Sequence, residues 1–145
     1  MRLCVVGVGY VGLVSAACLA EDGQVVVGVD ANRDKVDMIN RGQSPIVEAE
    51  TPELIHEAVT RGTLRATMDV EEGVAVSEAT LICVGTPGQA NGSPDLKYVR
   101  KVCAEIGVAL RRHDGFHVVV CRSTVLPGTM RSEEHTSELQ SHSGI

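Results

Sequence analysis

The stretch Leu3-Cys4-Val5-Val6-Gly7-Val8-Gly9-Tyr10-Val11-Gly12 decides the fold. Its first four residues are apolar, partly β-branched and of strand length, and Gly7, Gly9 and Gly12 form a G-x-G-x-x-G. Behind them Leu13 to Ala20 is Ala-rich, with apolar residues spaced for a buried helix. A glycine triplet alone is weak evidence; at a strand-to-helix junction it is much stronger. Each glycine has its own reason. Gly7 permits the tight turn, Gly9 lets a pyrophosphate approach the backbone, and Gly12 lets helix and strand pack closely. Unpaired N–H groups and the positive end of the helix dipole then face the phosphates.

Such a site calls for an acid at the end of the next strand. Gln24-Val25-Val26-Val27-Gly28-Val29-Asp30 supplies one. Asp30 can accept hydrogen bonds from the adenosine ribose hydroxyls, each charge-assisted and worth about 1.5–3 kcal/mol. A carboxylate there repels a 2′-phosphate, so the cofactor expected is NAD, not NADP.

At 145 residues the chain fits one domain with a real core. Aromatic residues make up 2%, so that core has to be aliphatic. The net charge of −6 argues against a nucleic-acid or anionic-membrane surface. No apolar run reaches the ~18 residues of a membrane span, and no basic leader precedes the first strand, so a cytoplasmic protein is expected. Cys4, Cys18, Cys83, Cys103 and Cys121 form no C-x-x-C and lie within apolar patterns, which reads as small buried hydrophobes in a reducing compartment. Neither they nor the scattered histidines suggest a metal site.

Further along, Asn32 caps a helix bearing Val36, Met38 and Ile39, which Gly42 ends. Lys35 lies on its first turn, near Asp30, and reads equally as a solvated lysine. Ser44 to Glu48 is extended because Pro45 drives its predecessor out of the α region. Thr51 reads as a cap with Pro52 at the first helical position, and Gly62 closes that helix. A short strand at 64–67, a brief helix at 70–77 and a buried strand at 79–84 follow. Gly88 to Pro94 is a loop, Asp95 caps a long helix through Leu110, and Phe116 to Cys121 is a continuous apolar strand.

Apolar strands alternating with helices imply an α/β, Rossmann-like parallel sheet with helices on both faces. Ligands then lie beyond the carboxyl ends of the strands, where the glycine loop, Asp30, Gly85-Thr86-Pro87 and Arg122-Ser123-Thr124 all fall. Thr86 and Thr124 read as cofactor contacts or as hydroxyls capping local turns. From Arg131 the pattern stops. Arg131 to Ser141 (R-S-E-E-H-T-S-E-L-Q-S) resembles one translated frame of a sequencing-library adapter. We therefore expect a domain over residues 1–130 and a non-native tail over 131–145.

Together, G-V-G-Y-V-G, the V-D at Asp30, S-P-I-V-E at 44–48, C-V-G-T-P at 83–87 and R-S-T-V-L-P-G-T at 122–129 resemble the UDP-glucose/GDP-mannose dehydrogenases. V-C-A-E-I-G at 102–107 looks nearest the GDP-mannose 6-dehydrogenase branch, with UDP-glucose oxidation the alternative. The resemblance implies oxidation of a nucleotide sugar's C6 alcohol to a carboxylate with two NAD per turnover, through an aldehyde and a cysteine thioester. It also implies NAD contacts at Tyr10, Val11, Asp30, Lys35, Thr86 and Thr124. Thr124 would be an auxiliary catalytic group that helps order water. Two departures stand out. Ala49-Glu50 replaces the family's Pro-Gly pair, and the nucleophilic cysteine, its lysine and asparagine partners and the sugar-binding domain lie downstream in the family. The expectation is an NAD-binding part, inactive alone, of a homo-oligomeric enzyme. Two other readings stay open: a non-catalytic NAD-sensing module, and another NAD dehydrogenase such as a hydroxy-acid enzyme, against which S-P-I-V-E and R-S-T-V-L-P-G-T speak.

Overall fold

A computed structural model describes residues 1–131; the expected foreign tail lies, beyond Arg131, outside the described residues. The elements run β1 (Arg2–Val6), α1 (Tyr10–Glu21), β2 (Val25–Val29), α2 (Arg33–Asn40), α3 (Thr51–Arg61), β3 (Leu64–Thr67), α4 (Val70–Ala75), β4 (Ala79–Ile82), α5 (Lys97–Leu110) and β5 (Val118–Cys121). All strand pairs are parallel, in the order β3-β2-β1-β4-β5. The chain leaves β1 toward β2 on one side and returns to β4 on the other. That reversal opens a crevice beyond the carboxyl ends of β1 and β4.

Each face of the sheet has its own aliphatic core. Leu3, Val5, Leu13, Ala16, Ile39, Ile55 and Ala58 join the sheet to α1, α2 and α3. Cys4, Val6, Ile82, Val99, Val102 and Ile106 join the other face to α4 and α5. Burying one such side chain contributes about 1.5–3 kcal/mol. The exposed ion pairs Arg65–Glu72 and Arg112–Glu71 add about 0–1 kcal/mol each. Packing therefore dominates.

Local rules place most elements. Asn32 Oδ1 accepts from the Asp34 and Lys35 N–H groups and starts α2. Gly42 ends it at φ +76°, with Gly42 N–H on the Ile39 carbonyl and Gln43 N–H on that of Met38. Asp95 Oδ1 accepts from the N–H of Lys97, the first residue of α5, but Leu96 and not Asp95 holds the cap position expected of Asp95. Gly73 sits inside α4 because a Cβ there would lie 2.8 Å from both Cys4 Sγ and Val29 Cγ2.

Three further expectations are corrected. Thr51 is the first residue of α3 and is buried, with Glu50 in the cap position and Pro52 one step later, because Glu50 already has helical dihedrals. Strand pairing in β5 begins at Val118, opposite Ala79, so Phe116 is exposed and Val118 and Val120 are uncovered on one face. Cys18 is exposed on α1, whereas Cys4 and Cys103 are buried.

Beneath the sheet, His117 Nε2 lies 2.8 Å from the Thr80 hydroxyl, and the His113 and His117 rings stack edge-on at 4.8 Å. Among the described residues both Nδ1 atoms are buried without a hydrogen-bond partner. Burial, then the neighbouring His113, holds the His117 pKa below its ordinary value of 6.5. The unfolded chain thus takes up this proton first, so stability is full above pH 6.5 and declines as pH falls toward the lowered value. Thermal melts from pH 7 to 5 should show a falling midpoint. His117→Gln, which can still meet Thr80, should flatten that slope; an unchanged slope removes His117 as its source.

Candidate functional site

The glycine turn packs closely against neighbouring backbone. Gly7, at φ +94°, donates its N–H to the Val29 carbonyl at 2.7 Å, and a Cβ on it would lie 2.8 Å from Cys83 C and Val84 N. A Cβ on Gly12 would sit 1.7 Å from the Gly7 carbonyl oxygen. These contacts seat the start of α1 directly over the crevice. Gly9 differs: a Cβ there meets nothing within 4 Å and would fill open space. Gly9 is also the cap residue of α1, and among the described residues no side chain caps it and no acid lies in the first turn. The helix start therefore presents its partial positive charge, about half a unit, to whatever lies in front of it.

In front of it is a cleft of about 810 Å3, within the range of small-molecule and cofactor sites. Gly7, Gly9, Tyr10, Val11, Asp30, Lys35, Thr86 and Thr124 all line it. Gly12 lies behind the turn and is buried. Residues from four strand ends thus meet around one space.

Asp30 is half-buried and ties two segments. Its Oδ2 accepts from Val8 N–H at 3.0 Å and its Oδ1 from Asn32 N–H at 2.9 Å. Tyr10, more than half exposed, donates its hydroxyl to Glu48 Oε2 at 2.8 Å, and that hydrogen bond, then the nearby charge, raises the phenol pKa. With Ile46 packed on the core, this contact defines the path of the loop that carries Ala49-Glu50. On the far side Ser123 Oγ donates to the Val84 carbonyl at 2.7 Å, and Arg122 Nη1 donates to Ser15 Oγ at 2.8 Å. The cysteine on the cleft is Cys83, whose thiol pKa burial pushes up, so it stays protonated. Burial takes Cys4 up to about 12. Neither is poised as a nucleophile. Among the described residues no group of three potential ligands could hold a metal.

Sequence reading missed one wall. Met68 and Val70, and Tyr98, Lys101, Val102 and Glu105 of α5, also line the cleft. Helical spacing marks 98, 101 and 105 as neighbours, but cannot tell a cleft from open solvent.

The model for the UDP-glucose/GDP-mannose dehydrogenase family, NAD binding domain, matches residues 1–144. The chain belongs to this family. GDP-mannose 6-dehydrogenase of Azotobacter vinelandii is 50% identical over 132 residues, covering 91% of this chain and 30% of the relative. UDP-glucose 6-dehydrogenase of Pseudomonas aeruginosa is 40% identical over 139 residues, 96% of this chain and 30% of that one. A crystal structure of a ternary complex of GDP-mannose dehydrogenase from Pseudomonas aeruginosa superposes with a TM-score of 0.95 at 45% identity, covering 97% of this chain and 33% of that one. The chain thus spans about a third of these relatives. NAD is the cofactor of the domain, and the uncapped helix start, the open space at Gly9 and Asp30 suit a dinucleotide. No helix among the described residues is long and apolar enough to cross a membrane.

The two glycines should separate in mutants. Gly12→Ala forces overlap with backbone and should cost about 1–3 kcal/mol or more. Gly9→Ala should leave stability within about 0.5 kcal/mol yet weaken NAD binding several-fold. Melting curves with and without NAD check both; equal destabilisation by the two would contradict this division.

Proposed function

We propose that this chain is the cofactor-binding part of an enzyme that oxidises the C6 alcohol of a nucleotide sugar to the uronate, with GDP-mannose the favoured substrate and UDP-glucose the alternative. One juxtaposition carries the reading: the uncapped start of α1 and the Asp30 carboxylate share a single cleft in a chain of this family. The preference for GDP-mannose is supported by 50% identity with a GDP-mannose 6-dehydrogenase against 40% with a UDP-glucose 6-dehydrogenase.

When bound, NAD would supply the hydride acceptor for oxidation of the alcohol carbon. The residues divide the work of holding it. Backbone N–H groups at the start of α1, next to Gly9, Tyr10 and Val11, take the pyrophosphate; Asp30 takes the ribose hydroxyls, with Lys35 beside it. Thr86 and Thr124, just beyond the ends of β4 and β5, line the cleft and would hold the other half of the cofactor, where the Thr124 hydroxyl would be suited to order water near the reacting carbon. The cleft cysteine, Cys83, is held as a thiol. We therefore place the nucleophile outside this chain and expect no turnover from it alone. We keep 1–130 as the domain, which accords with an alignment to the Azotobacter relative over 132 residues, although the family model extends to 144. A cytoplasmic setting accords with the free thiols, and we take the whole enzyme to be a homo-oligomer.

Thermal melting tests the cofactor assignment. NAD at a hundredfold excess over its Kd should stabilise the chain by about 2.7 kcal/mol, and NADP at the same concentration should give little. Asp30→Ala should lower the starting stability and abolish most of the NAD-induced shift. Absence of a shift in the wild-type chain would overturn NAD binding, and a full shift in Asp30→Ala would overturn the ribose role. NADH formation from GDP-mannose or UDP-glucose by the chain alone would overturn its dependence on residues elsewhere.

A further inference from the structure

We propose that Glu105 of α5 reads the amino edge of the cofactor's adenine and so sets base specificity; this rests on the NAD assignment above. The place of the base follows from the place of its ribose. Asp30 N–H donates to the Thr67 carbonyl at 3.2 Å, so Met68, the next residue, lies beside the strand end that holds the ribose. Val70 opens α4, which packs along α5. Met68 and Val70 thus line the cleft near Asp30, and Lys101, Val102 and Glu105 of α5, the helix packed on α4, line it with them.

Helix α5 shows two faces to its surroundings. Val99, Val102 and Ile106 enter the core. Lys101 and Glu105, one turn apart, join Val102 on the cleft. Lys101 is exposed at the rim, while Glu105 is half-buried. The slot therefore has apolar walls, suited to a flat heteroaromatic ring, and an acceptor-only carboxylate among them. Adenine presents a donor there, its exocyclic N6 amino group. Hypoxanthine and guanine present a carbonyl oxygen at the same position, whose lone pairs would face those of the carboxylate. A site built around one hydrogen-bonding group rejects the analogue that lacks its partner more strongly than an apolar slot can.

The test compares NAD with nicotinamide hypoxanthine dinucleotide, which differs at that one group, by calorimetric titration of the whole 145-residue chain. The wild-type chain should bind NAD about tenfold more tightly, the scale set by one charge-assisted hydrogen bond. Glu105→Gln, isosteric and able to accept from an amino group or donate to a carbonyl, should bring the two within about twofold. Glu105→Ala should also erase the preference, mainly by weakening NAD. Equal affinities in the wild-type chain, or an undiminished preference in both variants, would overturn the proposal while leaving NAD binding intact. Failure of the wild-type chain to bind either dinucleotide would overturn both readings together. Melting curves of the variants separate loss of recognition from loss of fold.

Discussion

The approach of Gly12 to the Gly7 carbonyl is the constraint on which the rest of the molecule depends. With 1.7 Å available to a Cβ, no other residue fits without moving the helix. Gly7 in turn rests on the backbone of Cys83 and Val84, and Gly12 faces the Cys83 Cβ, so β1, α1 and the segment just past β4 meet at close approach. This three-way contact fixes the start of α1 over the point where the strand order reverses. The aliphatic cores on both faces supply the larger share of stability, and the glycine contact converts a covered sheet into one with a defined anion-binding end.

Asp30 extends that end without competing with itself. An ionised carboxylate offers about four lone-pair positions. Val8 N–H and Asn32 N–H occupy one on each oxygen, which leaves one on each for a vicinal diol. The same group therefore pins the glycine turn to the start of α2 and remains able to bind a ribose. Its two protein partners also hold the carboxylate in place before a ligand arrives, so little side-chain freedom is left to lose on binding.

What was legible in the sequence was governed by local rules. Gly7, Gly9 and Gly12, the acid at Asp30, the Asn32 cap and the apolar positions Val36 and Ile39 of α2 each follow from a spacing or a short-range hydrogen bond, and the strand alternation that gave the parallel sheet follows from hydrophobic period. The misreadings have tertiary causes. Thr51 looked like a cap by residue type, but its burial, with Glu50 already helical, moves the start of α3 by one. Gly73, a poor helix former by residue type, is required inside α4 by Cys4 and Val29 across the interface. Phe116, Val118 and Val120 matched a strand covered on both faces, yet an edge strand has a second face that composition alone does not describe. The cleft wall on α5 was invisible because Lys101 and Glu105 have the same spacing whether they face bulk water or a ligand.

These cases divide the site into two kinds of residue. Gly7, Gly12 and Asp30 hold the fold together and shape the cofactor end at once, so changes there move stability and affinity in the same direction. Gly9, Lys35 and the α5 residues Lys101 and Glu105 border open space in the cleft and contribute little to the core. A family that keeps one cofactor can therefore vary the second group while the first stays fixed. The polar wall of α5 is the part of this domain where recognition can be tuned without touching the turn that makes recognition possible.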